Sequence, residues 1–265
     1  MFNPIKRFVN NTLLRPLKDE PRPEPKPTPT PGASPSPRPD TFEPSKKSPT
    51  PSPSPGTPPP GYGTGTAPKG PAPLTPPSTD PSNPTPEMQV RPAKSDRYND
   101  RPAGADIDTI VLHHTADGSD RNSLTTLTGD TDGQGVFKKG EQWLKDKKNG
   151  KVSAHYMIGK DGTIFQLVGD QKRAWHAGDG DLRGDGKDVN DRSIGIEIVN
   201  EGDGKDGYTE AQYKALEKLV PYLAKRYDVP SGNVVGHKET NPQKKDPSEN
   251  FDFGRIIRAT EKKIQ

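Results

Sequence analysis

Hydrophobic positions are concentrated in the second half of the chain, where their spacing predicts both strands and helices. An apolar, β-branched run at 106–115 ends in two adjacent histidines and predicts a buried strand. Four further strands are predicted, two of them joined by a hairpin turn: 152–160, 163–168, 194–200 and 233–236. Four helices are predicted: 123–127, 137–147, 209–227 and 251–264. This mixture predicts the α/β class, with a mixed central β-sheet flanked by helices.

Two of these elements carry local signals that sharpen the prediction. In the helix at 209–227, Thr209 and Gln212 have the spacing of a capping box, and Pro221 is expected to kink the helix. In the strand at 194–200, Gly195 indicates that backbone or a neighbouring side chain approaches closely.

The first hundred residues have a different pattern. Proline, serine and threonine dominate residues 18–99, which hold few aliphatic side chains. This composition predicts a disordered Pro/Ser/Thr-rich linker, with residues 100–265 as the one folded domain. Residues 1–17 have two interpretations, a short amphipathic segment that tethers the chain to a membrane surface or a protein, and a frayed tail.

Charge follows the same division. Lys and Arg outnumber Asp and Glu by 13 to 8 in residues 1–97, whereas the remainder holds 26 against 28. The excess of basic residues in this arm has two interpretations. It favours contact with an anionic surface, or it is solvated charge that keeps a disordered tail soluble. The first residues lack the pattern of a secretory signal, and no window has the length of a membrane span. We therefore expect synthesis in the cytoplasm without a signal peptide.

The candidate chemistry lies in the histidines. The chain has no cysteine, which excludes disulfides, thiol catalysis and cysteine zinc sites. All five histidines lie in residues 100–265. Successive side chains on a strand point to opposite faces, so His113 and His114 cannot both reach one metal ion. One of them is a candidate ligand, and the pattern leaves open which.

A second histidine completes a ligand set. His237 follows a predicted strand, and a proline-containing loop leads from it to Asp246 and Pro247. Such a loop can return the carboxylate to the imidazole. With one histidine of the first strand, this gives two nitrogens and one oxygen, the ligands of a catalytic zinc with an open position for water.

Five segments, in this order and spacing, resemble the zinc-dependent N-acetylmuramoyl-L-alanine amidases, the family that includes phage lysozyme-type amidases and the peptidoglycan recognition proteins. They are Ile110-Val-Leu-His-His-Thr-Ala, Val152-Ser-Ala-His-Tyr-Met-Ile-Gly-Lys-Asp-Gly-Thr-Ile, Trp175-His-Ala-Gly, Asn190-Asp-Arg-Ser-Ile-Gly-Ile-Glu-Ile-Val, and Gly236-His-Lys-Glu with Lys244-Lys-Asp-Pro. The resemblance covers residues 105–260. It implies hydrolysis of the amide between N-acetylmuramic acid and L-alanine of the peptidoglycan stem by zinc-activated water.

The resemblance also implies roles for individual residues. It identifies His113, rather than its neighbour, as the first Zn²⁺ ligand, with His237 and Asp246 as the others. Glu197 matches the catalytic glutamate of recycling-type amidases and would move the proton, although a glutamate there can also be a solvated side chain. Lys244 matches a lysine that stabilises the developing oxyanion.

Two positions complicate this assignment. Some phage members use a tyrosine just before the histidine of the second strand, and that position is Ala154 here. Without that tyrosine, the proton transfer depends more heavily on Glu197. Lys245 is a rival to Lys244, and either can be a solvated loop lysine.

Three more residues are candidates for substrate binding: Trp175, His176 and His114. Each has a structural alternative, core packing for Trp175 and a structural hydrogen bond or packing for the histidines. His155 is expected to hold the sheet or orient the site. Residues 130–141 resemble an EF-hand loop, but two ligand positions are poor, so we expect no Ca²⁺ there.

The partners follow from the same resemblance. We expect peptidoglycan as the partner, no nucleic acid, a monomeric chain, and action on the cell wall after release or delivery. The alternative function is a non-hydrolytic peptidoglycan-binding module. The sequence leaves open whether the chain acts as an endolysin, a secreted effector or a wall-recycling enzyme.

Overall fold

A six-stranded mixed sheet forms the centre of the fold. The computed structural model describes residues 70–132, 139–140, 142, 146–147 and 150–264. The predicted segment 1–17, the linker up to residue 69 and most of the predicted helix at 137–147 lie outside the described residues. The prediction of an α/β fold with a mixed sheet flanked by helices is confirmed.

The strands are short, and most run parallel to their neighbours. They are β1 (Gln89–Val90), β2 (Tyr98–Asp100), β3 (Thr109–His114), β4 (Tyr156–Ile158), β5 (Ile164–Gln166), β6 (Lys172–Ala174), β7 (Ser193–Ile198) and β8 (Val234–Gly236). The main sheet has the order β1-β5-β4-β7-β3-β8. Only the β4–β5 hairpin is antiparallel within it, and β2 pairs with β6 in a separate antiparallel ladder.

The helices cover the sheet. They are α1 (Asp120–Thr128), α2 (Val189–Arg192), α3 (Glu210–Arg226), α4 (His237–Thr240) and α5 (Phe253–Ile264). The capping box predicted at Thr209 and Gln212 is present, and α3 continues through Pro221. Among the described residues, no helix combines the length and the apolar character that crossing a membrane requires.

Alternation along β3 and β7 divides the side chains between the two faces of the sheet. Ile110 and Leu112 of β3 join Ile196 of β7 in the main core, which α3 and α5 complete through residues such as Leu219 and Ile256. Val111 lies on the opposite face, in a smaller cluster with Ala177, Leu182, Val189 and Val235. His113 also lies on this second face, because it is two residues beyond Val111.

The structure corrects the predicted boundary of the linker. Residues 70–99, which we call the N-terminal strap, were predicted to be disordered but pack on the domain. β1 extends the main sheet by pairing with β5. The backbone amide of Ala93 donates to the carbonyl of Leu167 (2.9 Å), and the amide of Gly169 donates to the carbonyl of Pro73 (2.8 Å).

Side chains of the strap are buried as well. Tyr98 is 1% exposed, and its hydroxyl donates to the carbonyls of Gly70 and Pro71. The Arg97 guanidinium is buried and donates to the carbonyls of Thr126 and Val152. The strap is therefore held by hydrogen bonds and by single buried side chains. It has no apolar periodicity of its own, which is why the hydrophobic pattern does not predict it.

A substitution in the strap tests whether this segment stabilises the domain. We expect Tyr98→Ala to lower the free energy of unfolding by about 3 kcal/mol, because it empties a buried aromatic site. Leu74→Ala is the matched control, since Leu74 is in the same strap but is 39% exposed, and should change stability by less than about 0.5 kcal/mol. Denaturant unfolding of both variants measures the difference, and equal, negligible effects would contradict an ordered strap.

Candidate active site and metal centre

Three side chains from separate parts of the chain meet at one edge of the sheet. His113 is the penultimate residue of β3 and is buried, His237 follows β8, and Asp246 lies in the loop after α4. The Nδ1 atoms of the two histidines are 3.1 Å apart. Asp246 Oδ2 is 2.9 Å from His113 Nδ1 and 3.0 Å from His237 Nδ1. The structure thus brings together the three residues that were predicted as metal ligands.

The chain reaches this arrangement through strand pairing and one return loop. β8 runs parallel to β3 with Leu112 opposite Gly236, so the next residue, His237, emerges beside His113. The Glu239 carboxylate accepts the backbone N–H of Gly236 (3.1 Å), which fixes the start of α4. The backbone N–H of Lys238 then donates to the carbonyl of Asp246 (3.3 Å) and closes the loop.

The protonation of these groups suits a cation. Burial lowers the pKa of His113 to about 4, so its imidazole is neutral near neutral pH, the form that binds metals. His237 Nε2 lies 3.3 Å from the carbonyl oxygen of Ala177, which can only accept, so this nitrogen carries the proton. His237 Nδ1 faces the Asp246 oxygen at 3.0 Å, a spacing that either a shared proton or a bound cation can bridge.

The donor types, two imidazole nitrogens and one carboxylate oxygen, suit zinc, and their spacing is close to that of a tetrahedral site. Tetrahedral zinc with nitrogen and oxygen ligands at about 2.0–2.1 Å places its ligand atoms about 3.3 Å from one another. The three ligand atoms here are separated by 2.9, 3.0 and 3.1 Å. Three protein ligands leave a fourth position for water or substrate. The donor set therefore fits a catalytic rather than a closed structural zinc site.

Glu197 stands next to this cluster. It lies opposite His113 in the parallel pairing of β7 with β3, so the two side chains share one face of the sheet. Its Oε2 is buried and has no hydrogen-bond partner among the described residues. Burial, with the negative charge of Asp246, raises the pKa of Glu197 to about 8, while the charge of Lys244 opposes the rise.

The two lysines before Asp246 are both exposed. Of the two, Lys244 is the one whose positive charge opposes the rise in the Glu197 pKa.

His176 lies behind the cluster. Its Nδ1 is 3.0 Å from His113 Nε2, and its Nε2 is 3.0 Å from the Ser193 hydroxyl. The ring rests on β7 at Gly195, where a Cβ would be 2.3 Å from His176 Cγ, as the close approach predicted at this glycine requires. Burial holds the pKa of His176 well below its usual value. This placement corresponds to the structural hydrogen bond that the sequence left as an alternative to substrate binding.

Trp175 is half-buried between the site and the strap. Its indole Nε1 donates to the side-chain oxygen of Asn99 at 2.7 Å, and its backbone amide donates to the Ser153 hydroxyl at 2.9 Å. The strap therefore fixes the residue that precedes His176.

His114 is not brought to the cluster. It points to the opposite face, where its Nδ1 accepts the backbone N–H of Ser248 at 3.2 Å. Gly202 leaves room for the ring, since a Cβ there would be 2.4 Å from His114 Nε2. His114 therefore holds the loop two residues beyond Asp246, a contact that sequence reasoning missed.

His155 occupies a structural position in the sheet. Its Nδ1 accepts the backbone N–H of Gly195, and its Nε2 lies 3.0 Å from the carbonyl oxygen of Lys172. This matches the expectation that His155 holds the sheet. Of the EF-hand-like loop at 130–141, positions 133–138 and 141 lie outside the described residues.

Sequence reasoning also missed the residues that support the histidines. Ser193 contacts His176, and the side-chain oxygen of Asn190 accepts the backbone amides of His176 and Ala177 (3.1 and 2.9 Å). Both residues are in the fourth motif, Asn190-Asp-Arg-Ser, so a signal was present. The motif alone does not tell which side chains point towards the site.

Comparison with known proteins tests the family resemblance. A family model described as N-acetylmuramoyl-L-alanine amidase matches residues 103–249. The 1,6-anhydro-N-acetylmuramyl-L-alanine amidase AmpD of Citrobacter freundii is 43% identical over 107 residues, covering 40% of this chain and 56% of that protein. AmpD of Haemophilus influenzae is 31% identical over 169 residues, covering 63% of this chain and 90% of that protein.

A solved structure gives the same result at the level of the fold. The crystal structure of a selenomethionine derivative of AmpD is 31% identical to this chain, with a TM-score of 0.53. The comparison covers 65% of this chain and 94% of that one. The resemblance predicted from the five motifs is therefore confirmed, and the chain belongs to the N-acetylmuramoyl-L-alanine amidase family.

Proposed function

We propose that this chain hydrolyses the amide bond between N-acetylmuramic acid and L-alanine of the peptidoglycan stem, with one Zn²⁺ held by His113, His237 and Asp246. One observation carries the proposal. The three ligand atoms lie within 4.8 Å of one another, beside a buried Glu197 oxygen that has no partner in the described part of the chain. A bound zinc would polarise the scissile carbonyl and lower the pKa of a water molecule beside it.

Glu197 would move the protons of the reaction. Its carboxylate takes a proton from the attacking water and hands it to the nitrogen of the leaving L-alanine, which departs as an amine. A pKa raised to about 8 suits this double task, since the group can accept and release a proton near neutral pH. A nearby cation would lower this pKa and favour the carboxylate that begins the cycle.

Lys244 would stabilise the negative charge that develops on the carbonyl oxygen during attack. Its charge already acts on Glu197, so it lies within electrostatic reach of the same space. Ala154, in the position where some phage amidases carry a tyrosine, is fully buried and offers no polar group. The proposed proton transfers therefore depend on Glu197.

Peptidoglycan would be the partner of this site, and the cell wall the place of action. The AmpD relatives are named for a 1,6-anhydro-N-acetylmuramyl-L-alanine substrate, and the substrate proposed here is of the same chemical class. A non-hydrolytic binding module is the alternative. The complete set of His113, His237 and Asp246 favours hydrolysis, because binding a stem peptide alone does not require three converging ligands.

The first test separates metal binding from proton transfer. We expect chelator to abolish release of stem peptides from purified sacculi, and added Zn²⁺ to restore it. Asp246→Ala should lose zinc and activity together, because two ligands remain. Glu197→Gln should keep zinc and lose about 10²–10⁴-fold in turnover, because the amide cannot accept the proton. Zinc content and peptide release are measured on the same preparations.

Glu249→Gln is the control for this series, since Glu249 is exposed in the loop beyond Asp246. It should retain both zinc and turnover. Release of stem peptides that is insensitive to chelator, or near-normal turnover in Glu197→Gln, would contradict the proposed mechanism. Retained binding to sacculi without any release would favour the binding module.

A pair of adjacent lysines tests the oxyanion role. We expect Lys244→Ala to lower kcat by up to about 10²-fold, because a positive charge near the developing oxyanion is lost. Lys245→Ala, the matched control, should change kcat by less than about twofold. Steady-state kinetics on a soluble muramyl peptide measure both variants, and equal effects would show that the two charges are interchangeable.

The raised Glu197 pKa predicts how stability depends on pH in metal-free protein. Between its ordinary value of 4.5 and about 8, Glu197 is ionised in the unfolded chain but protonated in the folded one. The unfolded state then binds fewer protons, so this contribution to the free energy of unfolding falls as pH rises through that window. The Glu197→Gln variant lacks this contribution. Its free energy of unfolding should therefore fall less steeply with rising pH than that of the wild type.

Denaturant unfolding of chelator-treated wild type and Glu197→Gln between about pH 5 and pH 8 measures this difference. Bound zinc should reduce the difference in slope, because a cation favours the carboxylate. Parallel stability curves for the two metal-free proteins would show that the Glu197 pKa is not raised.

A further inference from the structure

A line of hydrogen bonds runs from the back of His113 into the core. His113 Nε2 is 3.0 Å from His176 Nδ1, and His176 Nε2 is 3.0 Å from the Ser193 hydroxyl. The Ser193 hydroxyl is 2.5 Å from the carbonyl oxygen of Val189. All of these groups are buried, so water does not compete for them.

The last contact sets the direction of the first two. The Val189 carbonyl can only accept, so the Ser193 hydroxyl donates its single proton to it. The lone pairs of that hydroxyl then face His176, whose Nε2 must carry a proton and donate.

The protonation of the other ring nitrogen of His176, Nδ1, follows from burial. Among the described residues, its ring nitrogens contact only His113 and Ser193, with no carboxylate in reach. A buried imidazolium without an anionic partner is costly, so His176 carries one proton. Its Nδ1 therefore has a lone pair and accepts a hydrogen bond from His113 Nε2.

We propose that His176 and Ser193 are positioning residues that hold His113 in the tautomer whose Nδ1 is free to bind Zn²⁺. This Nδ1 is the atom 2.9 Å from Asp246 Oδ2 and 3.1 Å from His237 Nδ1. The inference rests on the zinc site of the proposed function. It adds the residues that decide which nitrogen of His113 can serve as ligand.

The residue after His176 acts in the same way on the other histidine ligand. The carbonyl of Ala177 accepts from His237 Nε2, which leaves His237 Nδ1 as the ligand atom. Asn190 fixes both residues by accepting their backbone amides. A single dipeptide, His176-Ala177, thus sets the tautomers of both nitrogen ligands.

Zinc affinity of the full-length chain tests the proposal. We expect His176→Leu to weaken Zn²⁺ binding about 10–100-fold, as loss of a partner that orients a ligand does. His176→Asn should restore most of the affinity, since its side-chain oxygen can stand where Nδ1 accepts from His113. Competition with a chromophoric chelator measures the dissociation constants, and circular dichroism checks folding.

His155→Leu is the matched control. His155 is also a buried histidine, and its ring lies 5.7 Å from that of His176, centroid to centroid. Its ring nitrogens contact the Gly195 amide, the Lys172 carbonyl and the Arg101 guanidinium, none of which is a proposed zinc ligand. We expect this variant to lose thermal stability while its zinc affinity stays within about threefold of wild type.

Ring ¹⁵N NMR of zinc-loaded full-length protein reads directly which ring nitrogens carry protons and does not require a stable leucine variant. We expect His113 and His176 to carry their protons on Nε2, with assignments made by single histidine substitutions. Ser193→Ala removes the acceptor for His176 Nε2–H, and should give a mixture of tautomers at His176. A merely structural role for Ser193 would leave the tautomers unchanged.

Three results would overturn the proposal: a folded His176→Leu that binds zinc as tightly as wild type, a His176→Asn as weak as His176→Leu, and a wild-type His113 protonated on Nδ1. These results differ from failure of the proposed function. Wild type that binds no zinc would refute the zinc site of the proposed function. If zinc binding depends on Asp246 but His113 and His176 show other tautomers than those expected, only the positioning role of His176 and Ser193 would be refuted.

Discussion

The site depends on the parallel register of three adjacent strands, β7, β3 and β8. Parallel strands end at the same edge of a sheet, and ligands of open α/β sheets bind beyond those carboxyl ends. Glu197 is opposite His113 in the pairing of β7 with β3, and His237 follows the end of β8. The catalytic candidate and two ligand candidates thus converge because each is placed by its strand. Only Asp246 has to be delivered by a loop.

The alternation of side chains along β3 gives its two histidines complementary contacts with that loop. His113 meets the Asp246 carboxylate on one face. On the opposite face, His114 accepts the backbone amide of Ser248, whose hydroxyl also lies 2.9 Å from the hydroxyl of Tyr208. The loop is therefore held on both sides of Pro247. Asp246 is presented by a constrained segment, as a ligand supplied by a loop requires.

Much of the fold was predictable, because its information is local. The period of apolar residues gave the strands, and Thr209 with Gln212 gave the start of α3. The candidate ligands could be named from residue type, spacing and family resemblance. The position of His176 could not be predicted from the sequence. It depends on the directions in which side chains of β7 and of the preceding loop point. The contacts of His114 could not be predicted for the same reason, since Ser248 and Gly202 are distant from it in sequence.

The strap is the part of the fold that the hydrophobic pattern of the sequence predicts least well. It supports the candidate site without contributing a ligand to it. Its last strand, β2, pairs with β6 so that Tyr98 is opposite Ala174. β6 leads directly into Trp175, whose indole is bonded to Asn99. The dipeptide that contacts both histidine ligands therefore continues from a strand whose pairing partner belongs to the strap.

Arg101 continues this support just beyond the strap. Its guanidinium is largely buried and donates to the carbonyls of Asn190 and Ser193, two residues that themselves hold His176. Burial lowers the pKa of Arg101 to about 10, which leaves it charged at neutral pH and able to donate all of these bonds. A boundary drawn at residue 100 from composition alone would thus separate the candidate metal site from β2 and Asn99, which help to position it. The folded domain begins within the proline-rich sequence, because backbone pairing, unlike a hydrophobic core, does not require an apolar pattern.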